Sequence, residues 1–501
     1  MITIHKEKNT VNIRFEGDTL ASIGVSHKSL REVLSSCAAN NIEAPKSSYH
    51  QMQIEALGTG WKISAVKNGS WQNWHMKFSP SALIFPTREG EFITSPKKIP
   101  IYQSYHLSYP GTASTKCIVV FLKNDLGFVL GAEPSLDYAK LSLTHLSEDI
   151  FIYNLLQNMN SLYLIPFHRD WEAAVKEFAN IFELHKLKVN NKLLNKPRFL
   201  LQMGVRDFYG NAYIKDFGDL FPMISEFATS LGEGNIVHLF GTNELGFDCM
   251  FPDFTIDGSL GGESSFAELI KKIHKLGLYV SHHFNPRICD ARWLHMNPKY
   301  KDCIVLTDQG FPWVEFYKNN VYFVVNSNKE KWQEFCLGVI KKFRDLGVDY
   351  VEIDQIAYQR NLYTEEGGLG HGYQELIDAT KQLGVKFWVE GVSDIYKLAD
   401  DCYYQVLPRD RFQLWENGEN RRGYVYGTAF TKFYRTLVPE ANISFQLVTE
   451  KAKVKLLPKR LKIMKDLNVQ VYDLELGFVD EKYQDKFKKV MTALKFFKSA
   501  V

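Results

Sequence analysis

The feature that most constrains this 501-residue chain is a change of period at Pro197. Beyond it, residues 199–204, 235–240, 277–284, 348–354, 385–390 and 402–407 read as short β-runs. Between them, 266–276 and 329–346 carry the apolar stripe of amphipathic helices. Strands that alternate with helices make a parallel sheet, because each parallel return needs a crossover. Six such runs, with room for two more near 424–426 and 443–448, predict an eight-stranded (β/α)8 TIM barrel. A doubly wound open sheet is the competing assignment. It ordinarily opens with a Gly-rich phosphate loop after its first strand, and Gly204-Val205-Arg206-Asp207 is not one.

Upstream the pattern is β. Val11, Ile13 and Phe15 alternate with polar neighbours, as do Trp74, Met76 and Phe78, and turn residues punctuate the runs, which predicts a β-sandwich over residues 1–165. Residues 166–197 read as a linker: Asp170 caps a helix with Trp171, Val175, Phe178 and Phe182 on one face, then a Lys/Asn-rich join runs to Pro197. The barrel is assigned to 198–450. In 451–501, a basic run (Lys451 to Lys465) reads as a solvated face. A stripe of Tyr483, Phe487, Val490, Met491 and Leu494 predicts a helix packed on the barrel.

Composition excludes several classes of function. Sixty basic against 57 acidic residues leave a net charge of +3, too little for nucleic-acid binding driven by a dense positive surface. No apolar run approaches the roughly 18 residues of a membrane span, so membrane insertion is not expected. The first seven residues hold no apolar signal core, and the seven cysteines are scattered without a CxxC pair. Both point to a cytoplasmic protein with reduced thiols.

In a barrel, reacting groups belong at the C-terminal ends of strands. Two of the strands end in acids: Val351-Glu352-Ile353-Asp354-Gln355 and Phe387-Trp388-Val389-Glu390. Asp354 and Glu390 are 36 positions apart (390 minus 354), one strand–helix repeat, which sets them on neighbouring strands at one height. Adjacent strands lie about 4.8 Å apart, and retaining glycosidases hold their carboxyls about 5–5.5 Å apart. Capping of the following helices is the structural alternative for both acids. Glu352 shares a face with Asp354 one layer below, where a buried acid orients its neighbours and its charge raises the proton affinity of nearby carboxyls.

Other polar groups cluster at the same end. His282 and His283 point to opposite faces of strand three, so they cannot chelate one metal, and one of them faces the lumen. Asn285 and Arg287 follow that strand. Gly370-His371-Gly372 lies after strand four, where glycines permit close approach and His371 is a candidate ligand contact. Asp394 either caps the next helix or holds a hydroxyl. Arg409 and Trp415 follow strand six, and Glu416 there rivals Glu390 as proton donor. Aromatic residues make up 14% of the chain, a surplus that suits sugar-stacking surfaces, Trp388 among them.

These strings have a family resemblance. Tyr350-Val351-Glu352-Ile353-Asp354-Gln355-Ile356, then Gly370-His371-Gly372, then Glu390-Gly391-Val392-Ser393-Asp394, with Asn285-Pro286-Arg287 before them, resemble a DUF6259-type family of glycoside-hydrolase-like barrels. More distantly the set resembles retaining α-glycosidases with an aspartate nucleophile after strand four, including endo-α-N-acetylgalactosaminidases. The resemblance covers about residues 165–425. It implies Asp354 as nucleophile, Glu390 as acid/base and an α-linked substrate. The expectation is therefore a retaining glycoside hydrolase acting on an oligo- or polysaccharide. No cofactor or metal is required, and His282, Asn285, Arg287, His371 and Arg409 hold hydroxyls. Glu352, Gln355 and Asp394 stand in the same set of substrate contacts. An inactive carbohydrate-binding barrel and a transglycosylase using the same acids are the rivals.

Overall fold

A computed structural model describes residues 2–7, 10–16, 18–27, 51–66, 71–87, 91–184, 196–252, 254–317, 320–357, 359–394, 403–406, 424–426, 428–449 and 454–498. The N-terminal part is two antiparallel sheets of seven and eight strands. Val11, Ile13, Trp74, Met76 and Leu141 of the first and Leu83, Val120, Phe128 and Leu164 of the second bury into one shared core. The other face of the eight-stranded sheet packs on helix α1 (Trp171–Ile181). Asp170 caps α1 by accepting from the Ala173 amide at 2.9 Å, and Val175 and Phe178 are fully buried beneath it.

Eight parallel strands then close into a barrel: β1 (Arg198–Gly204), β2 (Ile236–Phe240), β3 (Tyr279–Phe284), β4 (Tyr350–Ala357), β5 (Lys386–Gly391), β6 (Tyr403–Val406), β7 (Ile443–Thr449) and β8 (Val471–Phe478). Crossovers include helices α2 (Phe221–Leu231), α3 (Gly262–Lys275), α4 (Glu330–Asp345), α5 (Leu369–Gln382), α6 (Thr428–Leu437) and α7 (Leu457–Asp466). Outward residues such as Val237, Val351, Ile353, Phe387 and Val389 join the helices in one continuous core, as strands covered on both faces require.

Two sequence assignments need correction. Tyr424–Tyr426 is not a barrel strand, because it pairs antiparallel with Glu91–Ile93 at the edge of the sandwich. The eighth barrel strand is β8, so the barrel runs past residue 450. Its alternation was obscured by a lumen that carries Asp473 and Glu475, giving polar residues at inward positions. The last helix, α8 (Glu481–Lys498), buries Tyr483, Phe487, Val490, Met491 and Leu494 and packs beside α2. Five cysteines (117, 249, 289, 303 and 336) are buried and unbridged.

The sandwich leans on the C-terminal end of the barrel. Tyr109 donates to Asp394 Oδ1 at 2.6 Å, the Asn361 amide donates to Ser108 Oγ at 2.8 Å, and His371 on α5 meets Asp137 at 3.0 Å. Lys116 is buried in the same seam, its ammonium 5.2 Å above the Tyr109 ring. Burial lowers its pKa and raises that of Asp394. Gly372 permits the close seating of α5 on the carbonyl of Ser327, where a Cβ would collide with backbone. Gly372→Ala should therefore lower stability by about 1–3 kcal/mol, the usual cost of overpacking. An unchanged denaturation midpoint would show that this contact relaxes freely.

Candidate active site

The lumen is layered. Tyr350 and Trp388 form an apolar floor with Leu200, Ile236 and Val471. Above it lies a buried polar chain. Trp388 Nε1 donates to Ser281 Oγ at 2.8 Å, Ser281 Oγ meets His238 Nδ1 at 3.0 Å, and His238 Nε2 meets Glu352 Oε2 at 3.1 Å. The next inward positions on β4 and β5 are Asp354 and Glu390. Glu352 lies opposite Trp388 and Ile353 opposite Val389 in the ladder; β4 then bulges and pairing resumes with Ala357 opposite Gly391, which leaves both acids near the ends of neighbouring strands. They are 8% and 6% exposed.

Asp354 is held from two sides. Asn285 Nδ2 donates to its Oδ2 at 2.9 Å, and His283 Nε2 stands 3.3 Å from the same oxygen. Directly after it, Gln355 adopts φ 68° where β4 bulges between Ile353 and Ala357. A left-handed non-glycine residue costs of order 1–3 kcal/mol and persists only where its surroundings fix it. Arg287 supplies part of that fixing. It is buried, forks onto both oxygens of Glu315 at 2.6 Å, and reaches the Arg360 carbonyl at 3.0 Å and Gln355 Oε1 at 3.5 Å.

Glu315 comes from an insertion between β3 and α4, a three-stranded sheet of Ile288–Asp290, Asn320–Val324 and Val314–Tyr317. Two positions on, Tyr317 overlooks the acid pair. Burial chiefly, then the charges of Glu315, Asp354 and Glu390, push its phenol pKa up, so it stays a neutral donor. Beside His283 stands an aromatic wall: Phe247 is 5.0 Å from that imidazole, and Phe240 lies 4.8 Å from Phe247 and 5.5 Å from Phe478 between ring centres.

Several sequence-derived contacts fall elsewhere. His282 faces outward: it bonds Thr242 at 2.7 Å, its ring centre lies 4.1 Å from that of Phe343, and burial pushes its pKa down to about 3. His283, in register with Glu352, takes the lumen place instead. Trp388 is fully buried in the floor, with its N–H already given to Ser281, so it presents no stacking face. His371 and Asp394 belong to the seam with the sandwich. Arg287 is committed to Glu315 and positions the site from behind. Arg409, Trp415 and Glu416 lie outside the described residues. Sequence reasoning missed His238, Glu315, Tyr317 and the phenylalanine wall. The one signal for Glu315 and Tyr317 was the long connection between β3 and α4, of a length that ordinarily marks function. Among the described residues, no cluster of His, Cys, Asp and Glu is arranged to hold a metal, and no helix is long and apolar enough to cross a membrane.

Glu352 is the electrostatic oddity of the site. Burial, reinforced by Glu390 and opposed by His283, raises its pKa to about 8 from a model-peptide value of 4.5. A carboxyl whose folded pKa is raised makes the folded chain the better proton binder between those values, so it erodes stability as pH climbs through them. Glu352→Gln removes this dependence. Relative to wild type, its melting midpoint should gain at least about 2 °C between pH 5 and pH 8, the shift that roughly 1 kcal/mol produces in a large domain. A gap constant with pH would mean that Glu352 is ionised throughout.

No protein-family model matches the chain, and no curated protein matches it, so membership of the DUF6259-type family stays an expectation. Solved structures do match in fold. The α-N-acetylgalactosaminidase NagBb from Bifidobacterium bifidum superposes with a TM-score of 0.66 at 11% identity, covering 99% of this chain and 91% of that one. TtGalA, an α-galactosidase from Thermus thermophilus solved with stachyose, gives 0.55 at 12% identity over 88% and 95%. The GH36 α-galactosidase AgaA from Geobacillus stearothermophilus gives 0.53 at 10% over 88% and 66%. The chain thus has the fold of these α-glycosidases.

Proposed function

We propose that the chain is a retaining glycoside hydrolase acting on an α-linked sugar. The observation that supports this reading is that Asp354 and Glu390 stand at inward positions near the C-terminal ends of neighbouring parallel strands of the barrel. The α-glycosidase fold supports it independently. Neighbouring strands lie about 4.8 Å apart, a spacing that suits the carboxyl separation of about 5–5.5 Å in retaining enzymes and so favours direct attack over inversion.

In this reading an Asp354 oxygen attacks the anomeric carbon. The bond to the leaving oxygen breaks as Glu390 gives that oxygen its proton, and a covalent glycosyl-enzyme results. Glu390, now a carboxylate, takes a proton from water. The hydroxide formed attacks the same carbon from the opposite face, and Asp354 is released. Asn285 and His283 fix the direction of the nucleophile. Tyr317 donates near the reacting centre, and Phe247 offers an apolar face to the ring. The partner is a carbohydrate, and the residues in these roles need neither metal nor cofactor.

Against a panel of nitrophenyl α-glycosides, Asp354→Asn should fold as wild type and lose turnover entirely. Glu390→Ala should lose about 10²–10⁴-fold and recover with azide on substrates with good leaving groups. Wild-type turnover by Asp354→Asn, or azide rescue of Glu416→Ala in place of Glu390→Ala, would reassign the roles.

A further inference from the structure

A concavity lies between the inserted sheet after β3 and the small hairpin after β4 in which Tyr363–Thr364 pairs with Gly367–Gly368. Its volume of about 1010 Å³ is at the upper end of ordinary ligand sites. Trp313, Tyr363, Gln309 and Asn326 are among its lining residues, and the Tyr363 ring packs edge-on to Trp71 with 5.0 Å between centres. Phe311, on the turn beside it, is 68% exposed. Aromatic side chains together with amides and carboxylates match the two surfaces of a sugar, apolar C–H faces and equatorial hydroxyl edges. The charged lining is four acids (Asp302, Asp308, Glu365, Glu366) against Lys329, which repels a polymer bearing uronate or sulfate groups.

One strand leads from the cleft toward the acid pair. Exposure alternates along Trp313-Val314-Glu315-Phe316-Tyr317, with Val314 and Phe316 turned to solvent. Trp313, Glu315 and Tyr317 therefore share one face of the strand. Trp313 lines the cleft, Glu315 holds Arg287, and Tyr317 feels both catalytic carboxylates. Four residues of strand at about 3.3 Å each set roughly 13 Å between Trp313 and Tyr317, a span of more than one sugar ring. Arg360 ties the two ends together. Its guanidinium lies 5.7 Å above the Trp313 ring and its carbonyl accepts from Arg287.

We infer that this cleft is a remote subsite for the distal sugars of a linear, uncharged glycan whose scissile bond lies at Asp354 and Glu390. The identity of the ligand as a glycan rests on the hydrolase reading; the existence of the site does not. The test is binding of full-length Asp354→Asn to an immobilised array of oligosaccharides one to eight residues long, including α-galactosides and α-N-acetylgalactosaminides. Chains of four or more neutral sugars should be retained at least tenfold more tightly than mono- and disaccharides. Adding Trp313→Ala should abolish that gain, while Trp313→Phe should keep most of it. Length-independent retention, retention indifferent to Trp313→Ala, preference for anionic chains, or no retention at all would each overturn the proposal. The readout separates the two claims. Trp313-dependent retention without hydrolysis by wild type sinks the hydrolase reading alone, and hydrolysis with length-independent retention sinks the subsite alone.

Discussion

The candidate site depends on one pairing, the parallel ladder between β4 and β5. Because Glu352 lies opposite Trp388, both strands carry an acid at the next inward step, Asp354 just where β4 begins to bulge. A slip of one residue would turn Asp354 or Glu390 out among the helices, where an unpaired carboxylate is costly. The register is fixed by what surrounds it. Val351, Ile353, Phe387 and Val389 fill the outer core, while Tyr350 and Trp388 fill the floor.

Above that floor the lumen is built to keep charge apart by layers. The Trp388, Ser281 and His238 chain ends on Glu352, whose carboxyl burial keeps protonated through neutral pH. A neutral Glu352 keeps one negative charge out of the low-dielectric space beneath Asp354 and Glu390. Positive charge reaches the site in neutralised form, since Arg287 arrives already forked onto Glu315. The strained turn at Gln355 sits between these two supports, next to the carboxylate it helps to aim.

What was legible in the sequence was local. Strand-end acids, alternation along β4 and β5, and the helix cap at Asp170 follow from side-chain period and neighbouring residues. What failed was long-range. Which of His282 and His283 faces inward is set by pairing with β4, not by their own segment. Trp388 looked like a stacking ring because its depth in the floor is invisible along the chain. His371 and Asp394 resembled ligand contacts until the sandwich claimed them, and Tyr424–Tyr426 resembled a barrel strand until it joined a sandwich edge. Glu315 and Tyr317 arrive on an inserted sheet whose docking no local pattern encodes.

The proposed retaining mechanism makes a stereochemical commitment, because acids on neighbouring strands about 4.8 Å apart suit the carboxyl separation of about 5–5.5 Å for a covalent intermediate rather than the wider one of inversion. The most direct test is proton NMR of the first sugar released from the best substrate, recorded before mutarotation. Initial appearance of the α-anomer is the predicted result; initial appearance of the β-anomer would contradict the account.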